Sequence, residues 1–168
     1  MMKPLNMILA AAENNAIGRK GGIPWHISED FKYFKQTTLG HTVIMGWGTW
    51  VSFNFRPLPG RDNFILAPAD KLAEVQDAEH VKFFASLEEA LAATQDSEPF
   101  IIGGGYTYRS ALHLATRVYL TRIHTTIPDA DTFFPELPED EWKIASSSDL
   151  RTDPESGLTF HFLVYERK

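Results

Sequence analysis

The sequence predicts an α/β fold, a single domain over residues 1–168 with a mostly parallel, mixed central sheet, flanking helices and an antiparallel C-terminal edge. Short apolar runs typical of buried strands alternate with helix-forming segments, which favours parallel strands joined by right-handed crossovers. Near the end of the chain, apolar and more polar residues alternate from Leu158 to Val164, as in a strand with one solvated face. A chain of 168 residues can build one packed core, so we expect one domain without a linker.

The first predicted elements are a strand, a long loop and a helix. Residues 5–12 form a compact apolar run, which predicts a buried strand. The following ENNAIGRKGGIPWHI is too long for a simple connection, and such loops inside compact domains are usually functional. Ser28 is positioned to cap a helix that extends to about Gln36, with Glu29 and Asp30 at the positive end of its dipole.

Strands and helices alternate along the rest of the chain. Glycines follow two of the strands, and the next helices are predicted to start near Thr49 and Tyr106. Ser86 and Glu89 form a capping box before LEEALAA, which predicts a short helix. The remaining predicted strands are residues 41–45, 63–67, 80–85, 100–102, 118–123 and 142–146, the last of which we expect to pair with the C-terminal strand.

Composition restricts the functions that the chain can have. It contains no cysteine, which excludes disulfides and thiolate chemistry, and its six histidines show no metal-ligand spacing, so we predict no metal. A formal net charge of −6 argues against nucleic-acid binding. The apolar run near the N-terminus is too short for a signal peptide or a membrane span, so we expect a cytoplasmic protein that does not bind membranes.

Two junctions of strand, glycine and helix indicate a ligand site. In PFIIGGGYTY three glycines separate a strand from a helix, and in VIMGWGTW a strand runs into Gly46 and Gly48 before Thr49. Backbone N–H groups at such junctions bind anions, and junctions on neighbouring parallel strands would together fit a ligand with two phosphates. GGGYTY is neither a complete dinucleotide-binding signature nor a P-loop, and tight turns at unrelated helix starts would leave the same pattern.

Two charged residues are candidates for chemistry. Asp30 lies one helical turn before Phe34 with Trp25 upstream, and a carboxylate flanked by aromatic residues in a cleft can bind a flat heterocycle. RPLPGR carries Arg56 and Arg61 on a rigid turn, where a guanidinium can clamp a carboxylate through two parallel bonds. From spacing alone, an exposed helix acid and solvated turn charges remain alternative interpretations.

These motifs, taken in order, resemble dihydrofolate reductase in its bacterial chromosomal form. They run from ENNAIGRKGGIPW through Asp30 and Phe34, VIMGWGTW, RPLPGR and FIIGGGYTY to VYLTRI and DADTFFP, so the similarity covers nearly the whole chain. The resemblance implies an oxidoreductase that transfers a hydride from NADPH to C6 of dihydrofolate while N5 gains a proton. The tetrahydrofolate formed would supply one-carbon metabolism, including thymidylate, purine and amino-acid synthesis.

The resemblance assigns several residues to the substrate. Asp30 takes the place of the only ionisable group in the pterin pocket, with Thr121 as its partner, and Arg61 matches the arginine that binds the α-carboxylate of the glutamate tail. One extra residue within SFNFRP leaves open whether Phe53 or Phe55 lines this pocket. The implied catalytic residues are Asp30, Thr121 and Tyr108, and the implied substrate-binding residues are Ile8, Ala10, Asp30, Phe31, Phe34, Leu58, Arg61, Ile102 and Thr121.

For the cofactor, the resemblance implies a mobile lid and the two glycine junctions. Residues 14–25 correspond to a lid that closes over the nicotinamide and excludes water, and Asp131 matches an acid that helps to hold it closed. Gly104 and Gly105 resemble a pair joined by an unusual cis peptide bond. The implied cofactor-binding residues are Ala10, Ile17, Gly18, Ile23, Gly46, Gly48, Thr49, Leu66, Gly103, Gly104, Gly105, Tyr106, Thr107 and Tyr108.

Departures from the family pattern concentrate where the adenosine 2′-phosphate would bind. Many relatives have a basic residue or a serine at the positions of Trp47, Pro68 and Tyr106. Each charge-assisted hydrogen bond lost there is worth about 1.5–3 kcal/mol. We therefore predict NADPH as the cofactor with a weakened preference over NADH, and with Trp47 or Tyr106 stacking on the adenine, although Lys71 is an alternative source of positive charge.

Two other functions remain alternatives at this point. A related reductase for another pterin, or for a pyrimidine intermediate of flavin synthesis, would not need Arg61, because only a substrate with a distal carboxylate uses it. A folate- or nucleotide-binding protein that had lost catalysis would not need Asp30. We therefore expect a monomeric dihydrofolate reductase whose partners are dihydrofolate and antifolate inhibitors.

Overall fold

The structure is a computed structural model that describes residues 3–168. Most of its strands belong to one nine-stranded mixed sheet. A separate two-stranded antiparallel sheet and short helices surround it. None of the helices described within residues 3–168 is long and apolar enough to cross a membrane. The strands are β1 (Asn6–Ala12), β2 (Ala16–Gly18), β3 (Thr42–Gly46), β4 (Asp62–Leu66), β5 (Val81–Phe84), β6 (Phe100–Gly103), β7 (Arg117–Ile123), β8 (Thr132–Phe133), β9 (Trp142–Ser147), β10 (Arg151–Thr152) and β11 (Thr159–Arg167). The helices are α1 (Ser28–Thr38), α2 (Trp47–Ser52), α3 (Ala69–Leu72), α4 (Leu87–Ala93) and α5 (Gly105–Ala111), and a 3₁₀ turn (Leu112–Leu114) follows α5.

The order of strands in the large sheet confirms the predicted fold class. The strands lie in the order β10-β11-β7-β1-β6-β3-β4-β5, and β9 also pairs with β11. All neighbours from β7 to β5 are parallel, whereas β11 is antiparallel to β7, β9 and β10. The sheet is therefore mostly parallel with an antiparallel C-terminal edge. Its parallel strands all end at one edge, which is where ligands of open α/β sheets bind.

Three helices begin earlier than the sequence predicts. Ser28 is the first residue of α1 and not its cap, because the carbonyl of Ile27 already accepts hydrogen bonds from the N–H groups of Asp30 and Phe31. α2 begins at Trp47 instead of near Thr49, and α5 begins one residue before Tyr106. In both of these cases the extended backbone of the preceding glycine turns directly into the helix.

The capping box of α4 is confirmed. Ser86 Oγ accepts a hydrogen bond of 3.2 Å from the N–H of Glu89, and Glu89 Oε2 accepts one of 3.3 Å from the N–H of Ala85. The preceding strand is shorter than predicted, because His80 has a φ of 61° and cannot belong to an extended segment. Local side-chain chemistry therefore sets the start of this helix, and backbone conformation sets the start of the strand.

The two faces of the large sheet bury different side chains. Along β1, Met7 and Leu9 face one hydrophobic cluster, whereas Ile8 and Ala10 belong to clusters on the other face. Helix α1 packs on that second face, since its residue Asp30 reaches Thr121 of β7. Helix α1 therefore begins close to the carboxyl end of β7.

Candidate active site

The two glycine junctions lie side by side at the carboxyl ends of β3 and β6, which are parallel neighbours. A Cβ atom at Gly46 would lie 2.7 Å from Thr107 Oγ1, and one at Gly103 would lie 3.1 Å from Thr49 Oγ1. Any side chain at Gly46 would therefore push the junctions apart. Glycine at these positions lets the two junctions lie directly against each other at the edge of the sheet where ligands of open α/β folds bind.

The cis peptide bond joins Gly103 to Gly104, so the expected position between Gly104 and Gly105 is wrong by one residue. Gly105 already belongs to α5 and follows the geometry of that helix. A Cβ atom at Gly105 would lie 2.5 Å from Cγ2 of Thr132, which belongs to β8. Glycine at this position therefore allows β8 to lie directly against the start of α5.

Asp30 projects from the first turn of α1, and its carboxylate is bound by a side chain of the sheet. Thr121 Oγ1 donates a hydrogen bond of 2.6 Å to Oδ1 of Asp30. Burial raises the pKa of this carboxyl group, and the hydrogen bond from Thr121 opposes that rise. Within residues 3–168 no other side chain donates to this carboxylate, which leaves Oδ2 available to a ligand.

A cluster of apolar side chains lies on the same face of the sheet as this carboxylate. Ile8 of β1 and Ile102 of β6 are buried against the sheet, and Phe34 of α1 packs against the same cluster. Leu58 and Phe53 pack against this cluster from the segment between α2 and β4. Phe53 is therefore the phenylalanine of SFNFRP that lies on the pocket side. A carboxylate in an apolar pocket of this kind can bind a flat heterocycle through its edge.

Two of the predicted substrate residues lie at the margin of the pocket. Phe31 is exposed at its opening, with its ring centre 5.0 Å from that of His26. Ala10 packs against a separate small cluster that contains Ile27 and Phe160. Ala10 also lies opposite Thr121, the partner of Asp30, in the pairing of β1 with β7.

Arg61 is a buried cation without an acidic partner. The residue is only 6% exposed, and its guanidinium donates hydrogen bonds to the carbonyl oxygen of Pro59 at 2.9 Å and to Thr38 Oγ1 at 3.1 Å. Burial lowers its pKa, but a guanidinium keeps its charge in proteins. It forms no ion pair with any carboxylate in residues 3–168, whereas Arg56 of the same turn is exposed. A buried, unpaired guanidinium is suited to an anionic ligand.

Tyr108 lies beneath the glycine junction and is bound to the backbone of β1. Its hydroxyl donates a hydrogen bond of 2.8 Å to the carbonyl oxygen of Ile8, and it lies 3.7 Å from the position of a Cβ atom at Gly103. Burial raises the pKa of Tyr108, so the side chain is a neutral phenol at physiological pH. Its hydrogen bond joins α5 to the strand that carries the pocket wall.

The lid segment is bound to the loop that follows β7. The sequence does not predict the pairing of β2 with β8, because each strand is only two or three residues long. Asp131 Oδ2 accepts a hydrogen bond of 2.8 Å from the N–H of Lys20, and its own N–H donates to the carbonyl oxygen of Gly18. The hydrogen bonds from Lys20 and the hydroxyl of Thr132 lower the pKa of Asp131. Farther along the lid, Ile23 is 59% exposed.

The remaining predicted cofactor residues differ in position and burial. Leu66, at the end of β4, lies opposite Gly46, and Thr107 is buried. Ile17 is partly buried against the core, and Gly48 is exposed in the first turn of α2. Tyr106 is 78% exposed, so its side chain points away from the core.

Arg109 is a cation at this edge that sequence reasoning missed. Its Nη1 lies 3.3 Å from the position that a Cβ atom at Gly105 would occupy, so the guanidinium covers the first turn of α5. In the sequence it resembles any solvated helix arginine, and only the fold reveals its position. No group of three or more His, Cys, Asp or Glu residues that could hold a metal ion occurs in the part of the chain that the structure describes.

The fold and the site together define a class: open-sheet α/β proteins that place a carboxylate pocket beside glycine junctions suited to a nucleotide. A family model described as "Dihydrofolate reductase" matches residues 4–167 of the chain. Curated relatives with that name include one from Neisseria gonorrhoeae, 40% identical over 166 residues and covering 98% of both chains. Another, from Bacillus subtilis, is 36% identical over 165 residues, covering 98% of this chain and 95% of the relative, and one from Mycobacterium leprae is 40% identical over 171 residues, covering 99% of both. The chain belongs to the dihydrofolate reductase family.

Proposed function

We propose that the protein is an NADPH-dependent oxidoreductase that reduces 7,8-dihydrofolate to 5,6,7,8-tetrahydrofolate. The observation that carries this proposal is the carboxylate of Asp30, which is held by Thr121 in an apolar pocket next to the glycine junctions. Membership of a family whose curated relatives are named dihydrofolate reductase supports it. A binding protein without catalysis could hold the pterin through the same carboxylate, so turnover and not binding distinguishes the two functions.

The glycine junctions fit the phosphates of the cofactor. A Cβ atom at Gly46 would crowd the hydroxyl of Thr107 and one at Gly103 that of Thr49, so glycine keeps the backbone of both junctions and these hydroxyls close together at the edge of the sheet. Such a surface supplies several hydrogen-bond donors to an anion without a side chain in between. NADPH supplies a hydride when it is bound. The residues of both junctions are among those that the resemblance assigns to the cofactor.

Asp30 is the group that promotes protonation of the substrate. Its free Oδ2 can accept hydrogen bonds from the amino group and a ring nitrogen of the pterin, while Thr121 fixes the orientation of the carboxylate through Oδ1. A pKa raised by burial brings the carboxyl group closer to neutral pH, where it exchanges a proton more readily. Tyr108 acts by position, since its phenol holds the carbonyl group of Ile8 beside the reacting ring.

Arg61 and the lid complete the proposed site. The guanidinium of Arg61 binds the α-carboxylate of the glutamate tail, which supplies the negative charge that the protein does not. Asp131 and the pairing of β2 with β8 hold the lid near the edge of the sheet. A closed lid excludes water and keeps the donor and acceptor carbons in contact.

One measurement tests the proposed function directly. Purified protein is mixed with NADPH, dihydrofolate is added, and the absorbance of NADPH is followed, with NADH in a parallel assay. We expect the absorbance to fall with dihydrofolate present and to stay constant without it. Binding of NADPH without any loss of absorbance would instead indicate a nucleotide- or folate-binding protein.

We further propose that NADPH is the natural cofactor and that NADH is also accepted. Trp47, Pro68 and Tyr106 stand where many relatives carry groups for the 2′-phosphate, and none of these three side chains carries a charge. Pro68 and Tyr106 are exposed, and Lys71 of α3 lies 3.9 Å from Glu74, which offsets its charge. These three positions therefore contribute no ionic contact to the adenosine end.

A basic residue at position 47 is expected to increase the selectivity for NADPH over NADH. The guanidinium of Trp47→Arg can form a charge-assisted hydrogen bond with the 2′-phosphate, which NADH lacks. The ratio of kcat/KM for NADPH to that for NADH should rise about tenfold or more, which corresponds to 1.5–3 kcal/mol. Steady-state kinetics with both cofactors measure this ratio. A ratio in the unchanged protein that already matches relatives with basic residues would contradict the proposal.

We also propose that the protein acts as a cytoplasmic monomer with one domain and that antifolate inhibitors bind in the pterin pocket. Asp30, Thr121, Arg61 and the glycine junctions all belong to one chain, so the site needs no second subunit. The pairing of strands from both ends of the chain in one sheet supports a single domain. A sedimentation measurement that gives a mass near 19.0 kDa would agree with this state.

A further inference from the structure

The segment after α2 holds two neighbouring residues in a left-handed backbone conformation. Asn54 has a φ of 56° and Phe55 a φ of 58°. The N–H of Asn54 donates to the carbonyl oxygen of Val51 at 2.9 Å, and that of Phe55 donates to the carbonyl oxygen of Trp50 at 3.1 Å. Asn tolerates this conformation, but it is unusual for a bulky aromatic residue, for which glycine would be the ordinary choice. The presence of a phenylalanine at position 55, where glycine would fit the backbone better, therefore needs an explanation.

Burial in the core does not explain Phe55. Its side chain is 55% exposed, whereas Phe53, two residues earlier, packs against the buried cluster of the pocket. The ring of Phe55 instead lies next to two tryptophan rings, with its centre 6.2 Å from that of Trp47 and 6.3 Å from that of Trp50. Trp50 is buried, so Trp47 and Phe55 are the outer members of this group.

The position of Trp47 connects this group to the proposed cofactor site. Trp47 is the first residue of α2 and follows Gly46 directly, at the junction that contacts Thr107 and Gly104. In the sheet, β1 carries Ile8, the neighbouring strands β6 and β3 end at the glycine junctions, and α2 follows β3. A dinucleotide with its nicotinamide at the pocket and its phosphates at the junctions would therefore place its far end near Trp47.

We propose that Trp47 and Phe55 form an aromatic shelf that binds the adenine ring of the nicotinamide cofactor. This inference rests on the proposed function and names the residues that replace ionic contacts at the adenosine end. Purine rings stack on aromatic side chains because every base has a π-face. The left-handed turn at Asn54 and Phe55 carries the second ring to its place beside the first. Because NADPH and NADH share the adenine ring, the shelf contributes equally to the binding of both.

Substitutions of the two left-handed residues distinguish the effect of the Phe55 ring from the effect of the backbone conformation. Phe55→Gly removes the ring and suits the left-handed conformation, whereas Asn54→Gly makes the same backbone change next to an intact ring. We expect Phe55→Gly to raise the Kd of both NADPH and NADH about tenfold, measured by quenching of tryptophan fluorescence. Asn54→Gly should leave both values within about twofold of the unchanged protein, since it removes no stacking surface. Phe55→Tyr should retain cofactor binding, and Phe55→Leu should lose it to an extent close to that of Phe55→Gly.

A cofactor fragment without adenine provides the matched control. The kcat/KM for reduced nicotinamide mononucleotide should be the same in Phe55→Gly as in the unchanged protein, because this donor has no base to stack. An unchanged Kd for NADPH and NADH in Phe55→Gly would overturn the shelf. An equal rise in Kd in Asn54→Gly would overturn it too, and so would an equal fall in kcat/KM for the mononucleotide in Phe55→Gly. Since fluorescence titration measures binding without turnover, it tests the shelf even if dihydrofolate is not reduced, which would instead contradict the proposed function.

Discussion

Asp30→Asn is expected to lower turnover at neutral pH by about 10²- to 10⁴-fold, the usual range for loss of a group that transfers or promotes transfer of a proton. The amide still accepts the hydrogen bond from Thr121 Oγ1, so the geometry at α1 is retained. The glycine junctions are not altered, and the Kd of NADPH should therefore stay within about twofold. Single-turnover measurement of hydride transfer, together with a cofactor titration, separates the two effects. Unchanged turnover would remove Asp30 from the mechanism.

The pH dependence of the Asp30→Asn variant identifies the kind of defect. Without the carboxylate, the reaction depends on substrate that is already protonated in solution. The rate of the variant should rise about tenfold for each unit by which the pH is lowered, until most of the substrate is protonated. Glu29→Gln is the matched control, because Glu29 is the neighbouring acid on α1 and forms an ion pair with Arg151 at the surface. We expect its turnover to stay within about twofold at every pH, since exposed ion pairs contribute little.

Stability provides an independent check that Asp30→Asn is folded. Burial raises the pKa of Asp30 above its ordinary value of 3.8, so the ionised carboxyl group is less favourable in the folded chain than in the unfolded chain. Asp30 therefore lowers the free energy of unfolding at pH values above about 3.8, and this cost disappears below that value, where both states are protonated. The variant should be more stable than the unchanged protein at pH 7 and equal to it near pH 3. A loss of stability at pH 7 would show that burial does not dominate the pKa of Asp30.

Most of the fold follows from local patterns. The apolar run before Glu13 predicts β1, and the Ser86 capping box predicts the start of α4, because each depends on residues that are neighbours in the chain. Ser28 shows where such reasoning fails. A serine before two acids looks like a helix cap, yet Ile27 already occupies that position, since its carbonyl oxygen accepts the first hydrogen bonds of α1. Helix starts that depend on the preceding loop cannot be placed from side-chain type alone.

The site is less predictable because its contacts join distant parts of the chain. Asp30 and Thr121 are 91 residues apart, and only the family resemblance paired them before the fold was known. The pairing of β2 with β8, which holds the lid, involves strands too short to show an alternation of apolar residues. No sequence pattern predicts the close approach of Gly105 to Thr132. Phe55 is a further case, because its role depends on a backbone conformation that its residue type disfavours.

Arg61→Ala is expected to raise the KM for dihydrofolate by about 30- to 1,000-fold, because truncation of one partner of a buried charge pair costs about 2–4 kcal/mol. The guanidinium is buried, is held by Pro59 and Thr38, and pairs with no carboxylate in the described chain. The glutamate tail of the substrate would supply that missing partner. A pterin without the tail should therefore show a change in KM within about twofold. Equal effects on both substrates would show that Arg61 supports the pocket and does not bind the tail.

Two further variants make the Arg61 result specific to the guanidinium at this position. Arg61→Lys keeps a positive charge but cannot form two parallel hydrogen bonds, so its KM should lie between those of the unchanged protein and Arg61→Ala. Arg56→Ala removes the exposed arginine of the same turn, and its effect on KM should be within about twofold. Removing Arg61 also leaves Thr38 Oγ1 and the carbonyl oxygen of Pro59 without a donor, so thermal unfolding of each variant must accompany the kinetics. A carboxylate clamp requires the KM for dihydrofolate to increase in the order Arg56→Ala, Arg61→Lys, Arg61→Ala, because the first variant leaves position 61 intact, the second removes its planar geometry and the third removes its charge as well.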